Sequence, residues 1–266
     1  MPSDFLAEMA VSSARRVEVA RQALAESELR ALAESMPAMA PLQLEGFSLI
    51  AEVKLRSPAA GNLATGLDIA ALGNAYQQAG AAAISVLTEP DRFSGSLQHL
   101  REVVAAVSVP VLRKDFLVAP YQVYEARAAG ARGVLLIASL LPADQLAVML
   151  EAAEACGMFV LLEVFAPEEI KRVRHLAGEA VLLGVNCRDL RSLMIDPARF
   201  VRFAEVLDGE YCVAESGMQS PEDVARVAEL GFDAVLVGSA LMQSDAPGEL
   251  IALMLEAGRR SRCQSG

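Results

Sequence analysis

The chain from residue 47 to residue 61 reads Phe47-Ser-Leu-Ile-Ala-Glu-Val-Lys-Leu-Arg-Ser-Pro-Ala-Ala-Gly61. It begins as an apolar run of strand length and breaks at Ser57-Pro58. Side chains alternate along a strand, so Glu52 and Lys54 share one face with Ile50. If both faces are buried, these charges are costly unless they are paired or needed for chemistry. A structural ion pair and a functional pair are both open at this point.

Further apolar runs of strand length alternate with stretches of helical spacing along the rest of the chain. We predict strands over residues 48–54, 83–87, 109–116, 133–138, 159–165, 181–186, 211–215 and 234–238. We predict helices over residues 69–79, 96–107, 121–129, 143–155, 168–177, 197–207, 221–230 and 248–257. Helix starts are marked by Ser96, Pro120, Pro142, Pro167, Pro197 and Ser220-Pro221, and helix stops by Gly80, Gly130, Gly157 and Gly231.

Apolar strands that alternate with helices are typical of a parallel sheet covered by helices, which is the α/β class. Eight such units predict a (β/α)8 TIM barrel, and an open doubly wound sheet is the competitor. No Gly-x-Gly-x-x-Gly follows the first strand, so Glu89 is an isolated match to a dinucleotide fold. We expect a single domain overall, with an N-terminal helical extension over residues 1–46, the barrel over 47–260 and a C-terminal tail over 261–266. Within the extension, residues 4–35 have helical spacing and end before Pro37 and Pro41.

Composition excludes several classes of function. The 266 residues are 54% hydrophobic and carry a net charge of -11, and no basic stripe is present to bind nucleic acid. Cys156, Cys187, Cys212 and Cys263 form no Cys-x-x-Cys pair, and neither histidine has a second ligand at metal spacing. We therefore expect no disulfide and no metal site. We also expect no membrane association, because the first residues do not form a signal peptide and no apolar run reaches membrane length. A cytoplasmic protein is expected.

Polar side chains collect where the predicted strands end, which is where barrel enzymes carry their active sites. They are Glu52, Lys54, Lys114, Glu163, Asn186, Arg188, Glu215, Ser216, Gly238 and Ser239. The lysines and glutamates are suited to general acid–base work, or to Schiff-base chemistry on a keto sugar, and the residues alone do not separate these roles. His99 and His175 fall on predicted outer helices, where we expect surface residues.

Small residues after the last two strands predict an anion site. Backbone N–H groups at Gly217, Gly238 and Ser239 can approach a phosphate there, and Ser57 after the first strand can reach the same group. Phe93 and Phe116 either cover an aromatic substrate or simply pack. Residues 89–95 are predicted as a turn-rich loop whose charges have no chemical role.

With these residues assembled, the chain resembles the indole-3-glycerol phosphate synthase family over about residues 47–242. The motifs that carry the resemblance are Ile50-Ala-Glu-Val-Lys54 with Ser57-Pro58, Leu112-Arg-Lys-Asp-Phe116, Leu162-Glu-Val164, Gly184-Val-Asn-Cys-Arg-Asp-Leu190, Ala214-Glu-Ser-Gly217 and Val237-Gly-Ser-Ala-Leu-Met242. The resemblance implies ring closure of 1-(2-carboxyphenylamino)-1-deoxyribulose 5-phosphate with loss of CO2 and water, and no cofactor.

The resemblance also implies roles for single residues. Lys114 is then the general acid, Glu163 transfers protons in the dehydration, Lys54 holds the substrate carboxylate, and Glu52 orients both lysines. The supporting hydrogen-bond groups are Asn186, Glu215 and Ser216. The substrate and phosphate contacts are Ser57, Pro58, Phe93, Phe116, Arg188, Gly217, Gly238 and Ser239.

The chain departs from the family pattern at Ala59 and Ala60 for Ser-Lys, at Phe165 for His and at Cys187 for Asn. These departures leave open a paralogue that acts on a modified anthranilate derivative. An Amadori-type isomerase and a catalytically silent phosphate sensor are further alternatives, although the isomerase would favour a paired carboxylate and thiol. A small phosphorylated substrate is the expected partner, and a monomer or weak homodimer the expected assembly.

Overall fold

A computed structural model describes residues 5–37, 42, 44–58, 61–63, 66–176, 180–190 and 192–264. Sequence features at Pro41, Ala59, Ala60 and Ala177, and the predicted helix start at Asp4, lie outside these residues.

Eight parallel strands close into a barrel within the described residues. The strands are β1 (Ser48–Val53), β4 (Ala83–Leu87), β5 (Val111–Lys114), β6 (Gly133–Ile137), β7 (Phe159–Val164), β8 (Val181–Asn186), β9 (Cys212–Glu215) and β10 (Ala234–Val237). Their order around the barrel is β1-β10-β9-β8-β7-β6-β5-β4. The ring closes because Ile50 on β1 pairs with Leu236 on one side and with Ala83 on the other. The predicted barrel is confirmed, and the open sheet is excluded.

A helix follows each barrel strand and lies outside it. These helices are α3 (Ile69–Gln78), α5 (Leu97–Ala106), α6 (Pro120–Ala128), α7 (Ala143–Ala155), α8 (Pro167–Val173), α9 (Ala198–Ala204), α10 (Pro221–Glu229) and α12 (Pro247–Gln264). A 3-10 turn, Arg174–Leu176, extends α8. The predicted cap at Ser96 accepts a hydrogen bond from the His99 N–H at 3.1 Å. Gly80 and Gly130 have φ angles of +97° and +91°, as a helix stop requires.

Four short elements among the described residues were not predicted as such. Strands β2 (Arg56–Ser57) and β3 (Gly61–Asn62) form an antiparallel pair after β1. Helix α4 (Pro90–Phe93) lies within the predicted loop after β4, and α11 (Ser239–Gln243) directly follows β10. The loop prediction for residues 89–95 was therefore wrong over four residues.

The N-terminal extension forms two helices, α1 (Phe5–Ala23) and α2 (Glu26–Ser35), against the barrel. The Tyr121 hydroxyl of α6 donates to the Ala20 carbonyl at 3.0 Å, which ties α1 to the barrel wall. Helix α12 continues to Gln264, past the predicted barrel boundary. The three-part division of the chain stays a prediction.

Strand alternation produces two apolar cores. Leu49, Ala51 and Val53 of β1 point outward and pack with the surrounding helices. Ile50 points inward and belongs to a separate cluster that fills the barrel. This alternation sends Glu52 into the barrel as well, one layer nearer the carboxyl ends of the strands.

Candidate active site

A single mouth at the carboxyl ends of the strands holds most of the predicted site. It contains a cavity of about 120 Å³ that opens to solvent. The predicted residues that line it are Glu52, Lys54, Phe93, Lys114, Phe116, Glu163, Asn186, Arg188, Glu215, Ser216, Gly217, Gly238 and Ser239. The sequence contains three lysines, and two of them, Lys54 and Lys114, lie here. So strong a concentration of charge in a cleft is typical of an active site.

Lys54 and Glu52 form an ion pair at one side of the mouth. The Lys54 Nζ lies 2.7 Å from Glu52 Oε1, and both side chains are largely buried. Burial alone would raise the pKa of Glu52, but the positive charges of Lys54, Lys114 and Arg188 outweigh it and lower that pKa. Glu52 is therefore held as a carboxylate that fixes the direction of the Lys54 amine.

Lys114 of β5 lies between two carboxyl groups from other barrel strands, Glu163 of β7 and Glu215 of β9. Its Nζ is 2.6 Å from Glu215 Oε2 and 3.4 Å from Glu163 Oε2. The two glutamate side chains are almost completely buried, whereas the Lys114 side chain is 14% exposed and faces the mouth. The amine is thus aimed by buried partners and open to a bound molecule.

Burial and neighbouring charge set the protonation states of this cluster. Burial lowers the pKa of Lys114, but the negative charges of Glu215, Glu163 and Glu52 outweigh it and raise the pKa. Burial, together with repulsion from Glu163 and Glu52, raises the pKa of Glu215 to about 8 despite the attraction of Lys114. Among the described residues, Glu215 Oε1 is buried without a hydrogen-bond partner. Lys114 is therefore an ammonium at neutral pH, and Glu215 binds a proton readily.

Another part of the mouth is built from small residues. Ser216 and Gly217 follow β9 with φ angles of +67° and +75°, both in the left-handed region. This conformation is strained for serine and is typical of functional turns. Helix α11 begins at Ser239, so its first N–H groups have no carbonyl partner within the helix. These turns present backbone donors suited to an anion.

Gly238 lies so close to the Glu52–Lys54 ion pair that no side chain fits at this position. A Cβ at this position would lie 2.3 Å from Glu52 Oε1 and 3.1 Å from Lys54 Nζ. Any larger residue would displace the ion pair, so Gly238 connects the anion side of the mouth to the charged side.

Ser57 and Pro58 are not among the residues that line the mouth. Ser57 lies in β2, which pairs with β3, and Pro58 follows in an exposed turn. Their predicted contact with the phosphate stays a prediction.

Phe93 and Phe116 both line the mouth, and their ring centroids lie 6.2 Å apart. Phe116 also meets Phe5 of α1 edge-on at 5.9 Å. The two readings of these rings, packing and substrate contact, are therefore compatible. They form an apolar wall open to the mouth.

Asp115 and Arg16 were missed by sequence reasoning. The buried Asp115 carboxylate accepts two hydrogen bonds from the Arg16 guanidinium, at 2.8 and 2.9 Å, and one from the Thr88 hydroxyl at 2.7 Å. Burial alone would raise the pKa of Asp115, but these bonds and the charges of Arg16 and Arg113 lower it to about 2. The network ties α1 to the residue between Lys114 and Phe116, and no local pattern signals a pair 99 residues apart.

Two departures from the expected motifs lie behind the mouth. The Phe165 ring packs under the Arg199 guanidinium at 5.9 Å, and Arg199 donates to the Asn186 carbonyl at 2.6 Å. Cys187 is completely buried, and burial raises the pKa of its thiol to about 11. Neither residue lines the mouth.

The described residues contain no group of three or more His, Cys, Asp or Glu side chains that could hold a metal ion. The four cysteines are unpaired, and His175 is exposed, as expected for a surface residue. Within the described part of the chain, no helix is both long and apolar enough to cross a membrane.

Comparison with solved structures supports the fold alone, because identities are low. The chain superposes on 3-hexulose-6-phosphate synthase from Salmonella typhimurium with a TM-score of 0.64, at 14% identity, over 83% of this chain and all of that one (100%). Tryptophan synthase subunit alpha from Legionella pneumophila str. Paris gives a TM-score of 0.58, at 17% identity, over 80% and 93% of the two chains.

Sequence comparison identifies the family. A family model described as indole-3-glycerol phosphate synthase matches residues 6–253. A protein of that name from Parafrankia sp. (strain EAN1pec) is 49% identical over 222 residues, which cover 83% of this chain and 82% of the relative. One from Mycobacterium leprae (strain TN) is 47% identical over 242 residues, 89% and 88% of the two chains. The chain therefore belongs to the indole-3-glycerol phosphate synthase family.

Proposed function

We propose that this protein converts 1-(2-carboxyphenylamino)-1-deoxyribulose 5-phosphate into indole-3-glycerol phosphate, CO2 and water. One observation carries the assignment of roles: the Lys114 ammonium lies between the Glu163 and Glu215 carboxyl groups and opens to the mouth. A keto sugar that closes onto an aryl ring needs a proton at its carbonyl oxygen as the new carbon–carbon bond forms, and Lys114 is placed to supply it.

The reaction then proceeds by steps that the same cluster serves. The aryl carbon that bears the carboxylate attacks the carbonyl carbon, and the oxygen takes the Lys114 proton to become a hydroxyl. Loss of CO2 restores the aromatic ring. The nitrogen lone pair then expels the hydroxyl as water, and a proton leaves the ring carbon that lies between the nitrogen and the carbon that carried the hydroxyl. We assign the proton transfers of this dehydration to Glu163, which lies 3.4 Å from Lys114.

The remaining mouth residues bind the substrate. Lys54, oriented by Glu52, holds the substrate carboxylate together with Arg188, and the apolar wall of Phe93 and Phe116 takes the aryl ring. Gly217, Gly238 and Ser239 hold the phosphate through backbone N–H groups. Asn186 and Ser216 supply further hydrogen bonds. Ser57 and Pro58 stay candidates for the phosphate end, although they are not among the residues that line the mouth.

The Schiff-base alternative is disfavoured by charge. A lysine must be neutral to attack a carbonyl, whereas the carboxylates around Lys114 raise its pKa and keep it an ammonium. We propose a monomer or weak homodimer as the working unit. Free cysteines fit a reducing compartment, and we propose the cytoplasm.

Turnover of the ribulose phosphate tests this function directly. Because the protein contains no tryptophan, indole fluorescence from the product is read against a low background. We expect fluorescence to rise with time and CO2 to be released in equal amount. Substrate binding without product would contradict the proposal and favour the phosphate sensor. Turnover only with a substituted anthranilate derivative would favour the paralogue.

A further inference from the structure

The four-residue helix α4 positions Phe93 in one wall of the mouth, although so short a helix has few hydrogen bonds of its own. It follows β4 directly and ends at Phe93, whose ring meets Phe116 at 6.2 Å. A single helical turn is unstable by itself, because too few backbone hydrogen bonds form for the residues that are fixed. Something outside the turn must hold Phe93 in place.

Glu89 provides that hold. Its Oε1 accepts a hydrogen bond from the Asp91 N–H at 3.0 Å. Its Oε2 accepts bonds from the Arg92 N–H at 2.7 Å and from the Phe93 N–H at 3.1 Å. The side chain is completely buried. One carboxylate thus satisfies three N–H groups at the start of the turn, including that of Phe93 itself.

The chain beyond α4 returns against the strand that precedes it. The Gly95 N–H donates to the Glu89 carbonyl at 2.8 Å. A Cβ at Gly95 would lie 2.3 Å from the Leu87 carbonyl oxygen, so the loop is closed tightly around the glutamate. The side-chain carboxylate of Glu89 and its backbone carbonyl therefore both hold the turn in place.

Contacts from outside are weaker. The Ser12 hydroxyl donates to Asp91 at 3.1 Å, and Arg92 pairs with Glu8 at 3.2 Å, both at the exposed surface. Exposed pairs of this kind contribute little to stability. The buried carboxylate is the dominant restraint on the turn.

We propose that Glu89 is a positioning residue that sets substrate affinity through Phe93. The inference rests on the proposed function, in which Phe93 contacts the aryl ring. Glu89 does not line the mouth and touches no reacting group. If its cap is lost, the turn samples other conformations. The apparent substrate affinity then falls in proportion to the fraction of molecules in which Phe93 is still in place. Chemistry at Lys114, once substrate is bound, is unaffected.

Glu89→Gln tests the proposal, because the amide keeps one acceptor but turns an NH2 group toward backbone donors. We expect KM to rise about 3- to 10-fold, as for the loss of a helix cap, with kcat within about twofold and an unchanged pH profile. In a Phe93→Ala background the same change should alter KM less than about twofold. Asp91→Asn, on the exposed side of the same turn, is the matched control and should leave KM unchanged. An unchanged KM, or effects that multiply in the double variant, would overturn the inference.

A fluorescence reporter tests the same point without turnover. Phe93→Trp creates a single tryptophan in this protein, which has none. We expect Glu89→Gln to lower the anisotropy of that tryptophan and increase its quenching by acrylamide in the free protein. An unchanged signal would overturn the inference even if the wild-type enzyme is fully active. If the wild type shows no turnover, the proposed function fails, and this reporter still decides the role of Glu89. Glu89→Asp, one methylene shorter, serves the same measurements if the glutamine variant does not fold.

Discussion

The lower barrel interior and the rim of the mouth are built from the same strands, yet they differ completely in chemistry. On β7, Leu161 is completely buried in the apolar barrel core, and Glu163, two residues later on the same face, lies beside Lys114. On β1, Ile50 and Glu52 stand in the same relation. One layer along the strand thus separates packing residues from the proposed catalytic residues, and the two layers should respond differently to substitution.

The largest expected effect is on the rim. Lys114→Ala should lower kcat about 10²- to 10⁴-fold, the range for loss of a general acid, because no other described group occupies its place between Glu163 and Glu215. The free energy of unfolding should change little by comparison. Lys171→Ala is the control, since this third lysine is exposed on α8 and should leave kcat unchanged. Equal kcat for the two variants would remove the distinction between rim and surface.

The converse effect is expected one layer down. Leu161→Ala should lower the free energy of unfolding by about 2–5 kcal/mol, because it leaves a cavity in the closed barrel. The kcat of the folded fraction should stay within about threefold of wild type. Urea unfolding followed by circular dichroism, with kcat measured below the transition, checks both values. A large loss of kcat with unchanged stability would show that the two layers are not separate.

The last expected effect concerns the pH dependence of stability. The Glu215 pKa is about 8 in the folded protein and near 4.5 ordinarily, so between these values the folded state keeps a proton that the unfolded chain releases. The free energy of unfolding therefore falls as pH rises through this window, by up to about 1.4 kcal/mol per pH unit, and levels off above it.

Glu215→Gln removes that ionisation and should flatten the dependence. Urea titrations at several pH values between 5 and 9 measure it. Glu256→Gln, at an exposed pair on α12, should keep the wild-type slope. A slope in Glu215→Gln equal to that of wild type would mean that Glu215 is ionised throughout.

The sequence alone predicts the barrel and most of the rim for one physical reason. Strands buried on both faces are continuous apolar runs, so charges such as Glu163 and Lys114 at their ends stand out. Alternation then places them on the inner face. The same reasoning missed α4, because a four-residue turn has no periodicity, and its cap was read as a loop charge at Glu89.

Long-range contacts could not be predicted from the sequence either. Arg16 and Asp115 meet only after the barrel closes, and nothing in either local sequence indicates the other. The short hairpin of β2 and β3 that contains Ser57 was likewise not predicted, because a two-residue strand has no periodic pattern. Prediction from sequence thus works where burial repeats along the chain and fails where single tertiary contacts decide.

A crystal structure with bound indole-3-glycerol phosphate tests the central claim most directly, because it shows how one molecule spans the rim. We predict the phosphate within hydrogen-bond distance of the backbone N–H groups of Gly217 and Ser239, the indole ring against Phe93 and Phe116, and the Lys114 amine between them. A phosphate bound by Lys114, with the indole ring over Gly217 and Ser239, would contradict the account.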